Sequence, residues 1–167
     1  VCVFAKEASL PTDWKIVPVV VRSIRPDDTV TWATLRARLW RSASADELAA
    51  EARAFLEGRA VPTIAAVFLA EDEAAPLGFI ELAVRSFSDG CESMPVPHVE
   101  GWYVEPFARG RGVGRALMQA AEDWARAGGF TELASDTEPW NERSIAAHAR
   151  CGFRETERLI KFCKSLA

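Results

Sequence analysis

The stretch Arg109, Gly110, Arg111, Gly112, Val113, Gly114, Arg115 limits what this chain can fold into more than any other. It joins a strand pattern over 98–104 to a helix pattern in which Val113, Leu117, Ala121 and Trp124 recur on one face. A helix start leaves backbone N–H groups unpaired and carries partial positive charge, so a phosphate docks there when no side chain stands in the way. Glycines at alternate positions clear the way, and the arginines add charge suited to a pyrophosphate or a ribose phosphate. Spacing separates the nucleotide readings. A dinucleotide fingerprint needs GxGxxG in the first strand-to-helix turn, whereas here the glycines alternate as GxGxG late in the chain. A Walker loop closes with Lys and then Ser or Thr, and this loop does not. What remains is a phosphate-binding turn of another kind, or a glycine-rich turn with no ligand.

Around that loop the 167 residues read as one domain over 16–167, preceded by an extension over 1–15 that opens with Val rather than Met and is set apart from the fold. The valine-rich run 16–24 ends before Pro26 and predicts a first strand. Asp27 and Asp28 offer capping oxygens to a helix whose Trp32, Leu35, Leu39 and Trp40 recur at helical spacing. Ser44 and Glu47 form a capping-box pattern that opens a second helix, ending at Gly58. Strands are predicted over 63–70 and 77–84, with a loop over 86–97. The helix after the glycine loop stops at Gly128 and Gly129. It is followed by a short strand over 131–135, a helix over 141–150 and a last strand over 153–162. The order βααβββαβαβ describes an α/β fold, a mixed β-sheet flanked by helices.

Composition excludes several classes. The chain is 49% apolar and 26% charged, the balance of a folded globular domain. A formal net charge of −4 argues against binding a nucleic-acid backbone, which needs concentrated basic surface, and suits a cationic substrate better. No apolar run reaches membrane-spanning length, and the first residues lack the form of a secretion signal. Cys2, Cys91, Cys151 and Cys163 make no CxxC pair, and His98 and His148 stand far from metal-ligand spacing, so no metal site is expected. The expected location is a reducing cytoplasm.

Two motifs resemble the GNAT acetyltransferase superfamily. Arg109, Gly112 and Gly114 follow the form [QR]xxGx[GA] of its acetyl-CoA loop, and Asn141, Ser144, His148, Gly152 and Phe153 follow its second signature, with His148 where relatives usually carry Tyr. The stretches GFIEL over 78–82, DGC over 89–91, VEGWYV over 99–104, ELASDTE over 132–138 and GFRETER over 152–158 look like the aminoglycoside 6'-N-acetyltransferases within it. The resemblance implies acetyl-CoA as co-substrate, an aminoglycoside as acceptor, antibiotic resistance, and a homodimer. It also implies that the strand carrying Glu100 and the next parallel strand splay apart to admit the acetyl-CoA arm. The cofactor residues carried over are Trp102, Tyr103, Val104, Arg109, Gly110, Arg111, Gly112, Val113, Gly114, Arg115, Asn141 and Ser144.

The chemistry then sets what the site must contain. An aminoglycoside amine is mostly an ammonium near neutral pH and cannot attack a thioester until a proton leaves, so the site needs a carboxylate and negative charge for a polycation. Glu100 is the candidate general base acting through water, or else a solvated strand-end carboxylate. Asp136 is the candidate amine-binding acid, or else a cap for the following helix. Glu138 adds to an acidic rim. Backbone N–H groups near 102–104 would polarise the thioester carbonyl. His148 either protonates the departing thiolate or packs beside the cofactor arm. Cys151 reads as a small buried hydrophobe rather than a nucleophile. Trp40 and Phe87 would wall the sugar site by analogy with the subgroup, although an aromatic at helical spacing such as Trp40 is as readily core. Acetylation of another small amine or a peptide N-terminus, and a non-catalytic acyl-CoA sensor, are the competing functions.

Overall fold

The computed structural model describes residues 18–166, so the expected extension over 1–15 and the start of the expected first strand lie outside the described residues. The first strand, β1, is Val20–Ser23. A 3-10 turn at Pro26–Asp28 leads into α1, Thr29–Leu39, and α2 follows at Ala45–Leu56. Ser44 accepts the Glu47 backbone N–H at 3.4 Å, which is the Ser44 half of the predicted capping box. Gly58 ends the helix with φ +73°, a conformation that side chains disfavour.

Strands β2 (Ala66–Glu71), β3 (Pro76–Arg85) and β4 (Val96–Val104) build the middle of the sheet. Helix α3 (Val113–Ala127), strand β5 (Ala134–Ser135) and helix α4 (Glu142–Arg150) complete the regular structure among the described residues. The five strands lie in chain order. Neighbours from β1 to β4 are antiparallel, and β4 and β5 are parallel, because the α3 crossover returns the chain to the same end.

Two apolar layers follow from strand alternation. On β2, Ala66, Phe68 and Ala70 face the layer holding Val113, Leu117, Met118 and Ala121 of α3. Val67 and Leu69 face the layer holding Trp32 and Leu35 of α1 and Ala52 of α2. An ion pair is buried in the second layer. Arg36 lies between the Trp32 and Trp40 rings, 5.3 and 5.2 Å from their centroids. It donates to the Leu48 carbonyl at 2.8 Å and stands 3.1 Å from Glu81, which is 2% exposed. Burial pushes the Glu81 carboxyl up to about 7, outweighing the opposing pull of Arg36.

The last strand expected over 153–162 is not formed, and the βααβββαβαβ order ends at α4. The physical reason is the shortness of β5. Two residues offer no edge for a ladder, and the apolar Leu159, Ile160 and Phe162 remain exposed. The strand on the other side of the loop is longer than expected, beginning at Val96 rather than His98.

Candidate active site

The sheet opens where the glycine loop begins. Strand β5 pairs with β4 only through His98↔Ala134 and Val99↔Ser135, and the two strands part beyond that point. On its other side β4 carries a bulge: Val99 faces Leu82 and Gly101 faces Glu81, so Glu100 is the extra residue. A bulge turns its residue out of the alternation, and here it turns Glu100 at the mouth of the opening. Sequence periodicity gives no sign of it.

At the top of the opening the chain runs through a 3-10 turn, Pro106–Ala108, into the glycine loop. Gly110 and Gly112 have φ of +77° and +84°, and a Cβ on either would meet nothing within 4 Å. No side chain caps α3 at Gly112. The result is an open helix start of the kind an anion needs. The arginines differ. Arg109 donates Nε–H to the Val104 carbonyl at 2.8 Å and lies 5.9 Å from the Tyr103 ring centroid, so it braces the loop against β4. Arg111 stands 3.6 Å from Asp72, and Arg115 lies close enough to Cys151 to bear on its thiol, which burial pushes up overall. A thiol held in that state is a poor nucleophile, in keeping with Cys151 as a packing residue.

Glu100 and Asp136 converge on one cluster. Arg85, the last residue of β3, donates Nε–H and Nη2–H to the two Glu100 oxygens, each at 2.7 Å, and its Nη1 lies 3.6 Å from Asp136. His98 lies between the same acids, with Nδ1 3.6 Å from Glu100 and Nε2 3.5 Å from Asp136. Asp136 is 65% exposed in its side chain and Glu100 22%, so the pair reaches from the strand interior to solvent. Asp136 does not cap the next helix. That task falls to Asn141, whose side-chain oxygen accepts the Ser144 N–H at 3.1 Å. Neither Arg85 nor His98 is singled out by sequence motifs, since the bulge and the β5 pairing bring them to the acids.

On the other side of the opening, Asn141, Ser144 and His148 fix α4 against β5. His148 Nδ1–H donates to the Ser144 carbonyl at 2.8 Å, because a carbonyl only accepts. In the neutral ring Nε2 then accepts the Ser135 hydroxyl at 2.8 Å. The ring packs edge-on to Trp102 at 5.2 Å and to Phe153 at 5.3 Å. Trp102 in turn lies against Gly114, where a Cβ would come within 3.2 Å of the indole. Strand alternation sends Tyr103 to the opposite layer, beside Phe79, with its hydroxyl donating to Glu105 at 3.2 Å, so toward the opening Tyr103 offers backbone.

The expected acceptor residues separate in the structure. Trp40 sits against Gly101, next to the bulged Glu100, while Phe87 and Glu138 are exposed on the flanking loops.

A pair of parallel strands that stop pairing, an uncapped helix start after the first of them and two acids in one cluster are the parts that group transfer from a phosphate-bearing donor requires. Comparison with known proteins specifies that class. A profile of the Acetyltransferase (GNAT) family matches residues 30–153. Among characterised relatives, an aminoglycoside N(6')-acetyltransferase type 1 of Klebsiella aerogenes is 40% identical over 147 residues, covering 88% of this chain and 97% of that protein. One of the same name from Stenotrophomonas maltophilia is 42% identical over 146 residues, covering 85% and 90%. The structure of AAC(6')-Iy in complex with the bisubstrate analogue CoA-S-monomethyl-acetylneamine superposes with a TM-score of 0.81 at 33% identity, covering 89% of this chain and 99% of that one. The chain belongs to the GNAT acetyltransferase family.

Proposed function

We propose that this protein transfers the acetyl group of acetyl-CoA to the 6'-amine of aminoglycoside antibiotics, by direct attack of the amine within a ternary complex. The observation that carries the reading is the pairing of Glu100 with Asp136 beside the gap between β4 and β5, in a chain about 40% identical to proteins of that activity. Asp136, open to solvent, holds the substrate ammonium, and Glu138 adds negative charge at the rim. Glu100 takes the proton that the amine must lose, through a water molecule. The backbone of Trp102, Tyr103 and Val104, paired with β3 on one side and with no strand on the β5 side, offers N–H groups to the thioester oxygen. Gly110, Arg111, Gly112, Val113, Gly114 and Arg115 receive the coenzyme diphosphate, with Arg109 bracing them. Asn141, Ser144 and His148 keep α4 in place beside the cofactor arm, and Trp40 and Phe87 flank the sugar.

The working unit in this reading is a homodimer. Ile160 and Phe162 are 81% and 91% exposed on a segment without secondary structure, and a second copy of the chain would cover them. The reading places the protein in the cytoplasm, where acetyl-CoA is available and where Cys91, Cys151 and Cys163 stay reduced. It excludes nucleic acid and membrane as partners. Among the described residues no helix is long and apolar enough to cross a membrane.

Thiol release from acetyl-CoA in the presence of kanamycin, spermidine or a peptide tests the reading. Turnover with kanamycin well above the other two is expected. Preference for spermidine or the peptide would move the protein to another acceptor class, and no turnover with any of them would leave an acyl-CoA-binding sensor.

A further inference from the structure

Arg85, His98, Glu100 and Asp136 meet at the start of β4, and His98 is the titratable member that the proposed transfer leaves without a role. His98 is 1% exposed, and its Nδ1 is buried without a hydrogen-bond partner. A buried polar nitrogen left unpaired is costly, and native folds rarely keep one without a use. The groups that face it are Arg85 from β3, Glu100 from β4 and Asp136 from the segment after β5. With Nε2–H directed at Asp136 and the Nδ1 lone pair directed at Glu100, the neutral ring is an empty proton acceptor behind the general base.

We propose that His98 is a positioning residue for the acetyl transfer, whose Nδ1 receives the proton that Glu100 collects from the substrate ammonium. The inference rests on the assignment of Glu100 and Asp136 to the acceptor site. The balance of the reaction requires such a place. An ammonium and a thioester become an amide, a thiol and one free proton, so two protons leave the nitrogen and only one is taken up by the departing sulfur. For the other, the ammonium N–H breaks as a bridging water gains that proton and passes one of its own to form a Glu100 O–H, and that O–H breaks as the His98 Nδ1–H forms. Glu100 is thereby an anion again while the amine attacks. When product leaves, the proton returns through Glu100 to water, and the ring recovers its starting tautomer. The Asp136 carboxylate at Nε2 stabilises the transient imidazolium.

The resting ring is suited to this. Burial first, and then Arg85, hold His98 below the usual imidazole value, against the pull of Glu100, Asp136 and the Val99 backbone, so the ring is neutral at neutral pH, and the tautomer with Nε2–H toward Asp136 leaves Nδ1 vacant. In acid the ring is already protonated and cannot accept.

His98→Gln tests the proposal through pH dependence. The variant keeps a buried polar side chain but cannot hold a proton. We expect its kcat to be about tenfold below wild type at pH 7–8, less than the roughly hundredfold or more lost with a group that takes the substrate proton itself, because His98 acts behind Glu100. The ratio of wild type to variant should fall toward one in acid, with acetyl-CoA affinity and thermal midpoint retained. A ratio that stays constant with pH would mark His98 as structural only. Nitrogen NMR of the wild-type protein gives a readout independent of any variant, and with two histidines in the chain the assignment is direct. A Nδ1 already protonated at neutral pH would overturn the proposal. Glu100→Gln and Asp136→Asn, run in the same assay, keep the two levels apart. If both retain wild-type turnover the acceptor site itself is misplaced, whereas loss in both with a pH-independent His98→Gln ratio removes only the role of His98.

Discussion

The indole of Trp40 occupies the space in which a side chain on Gly101 would stand. A Cβ there would lie 2.7 Å from Cη2 and 2.9 Å from Cζ2. The ring cannot yield as a flexible chain end would, because Arg36 lies over it at 5.2 Å and Phe79 packs against it at 6.1 Å. A residue predicted either to line the sugar site or to fill the core packs in the core and also reaches the bulge of β4. It closes the second apolar layer and ends beside Glu100.

From this contact we expect Gly101→Ala to displace Trp40, to destabilise the fold by about 1–3 kcal/mol as overpacking does, and to raise the KM for aminoglycoside while the KM for acetyl-CoA holds. Steady-state kinetics in both substrates together with a thermal melt measure the two effects. An unchanged aminoglycoside KM in a destabilised variant would leave Trp40 as core alone.

Removing either acid of the cluster should act on catalysis far more than on folding. Glu100→Gln and Asp136→Asn are each expected to lower kcat/KM by roughly tenfold to thousandfold, the range for a general base or a substrate-holding charge. Because Arg85 and His98 touch both acids, the double variant should fall short of the product of the single effects. Strict additivity would show that the acids act independently.

Gly112→Val places a branched side chain at φ +84° in the open space before α3. Backbone strain of about 1–3 kcal/mol is expected. The larger effect is loss of the anion site, which we expect to weaken acetyl-CoA binding by roughly tenfold or more, equivalent to about 1.4 kcal/mol. Calorimetry on a variant that still melts cooperatively provides the test, and wild-type affinity would move the diphosphate elsewhere.

Glu81 links stability to pH. Its carboxyl rises from 4.5 to about 7 on folding, so the folded state holds this proton more tightly than the unfolded chain. The stabilisation is fully present below pH 4.5, is lost as pH rises toward 7, and is flat above, a total of about 3 kcal/mol. Glu81→Gln has no proton to lose. The stability of wild type relative to this variant should fall by that amount between pH 4.5 and 7.5 in denaturant titrations. A difference that stays level would show that Arg36 keeps Glu81 ionised throughout.

Local chemistry explains what could be read from the residue order. Helix starts at Ser44 and Asn141, the glycine stops, the strand alternation and the anion-receiving loop are written in spacings of a few residues, because caps, periods and positive-φ turns are short-range phenomena. The family motifs at Arg109, Gly112, Gly114 and over 141–153 are equally local. The expected strand over 153–162 fails for a non-local reason, since a strand needs an edge and β5 is two residues long. The same reason hid Arg85 and His98, which reach Glu100 and Asp136 only through a bulge in β4 and a pairing between segments separated by a whole crossover helix.

The sequence by itself thus determined the helices and the strands up to β5, and it set a glycine loop and two acids as types in a pattern. Only the tertiary structure decided which partners those acids keep. Register, bulges and burial depend on contacts between residues far apart in the chain, and those contacts set the charge and the proton inventory of the site.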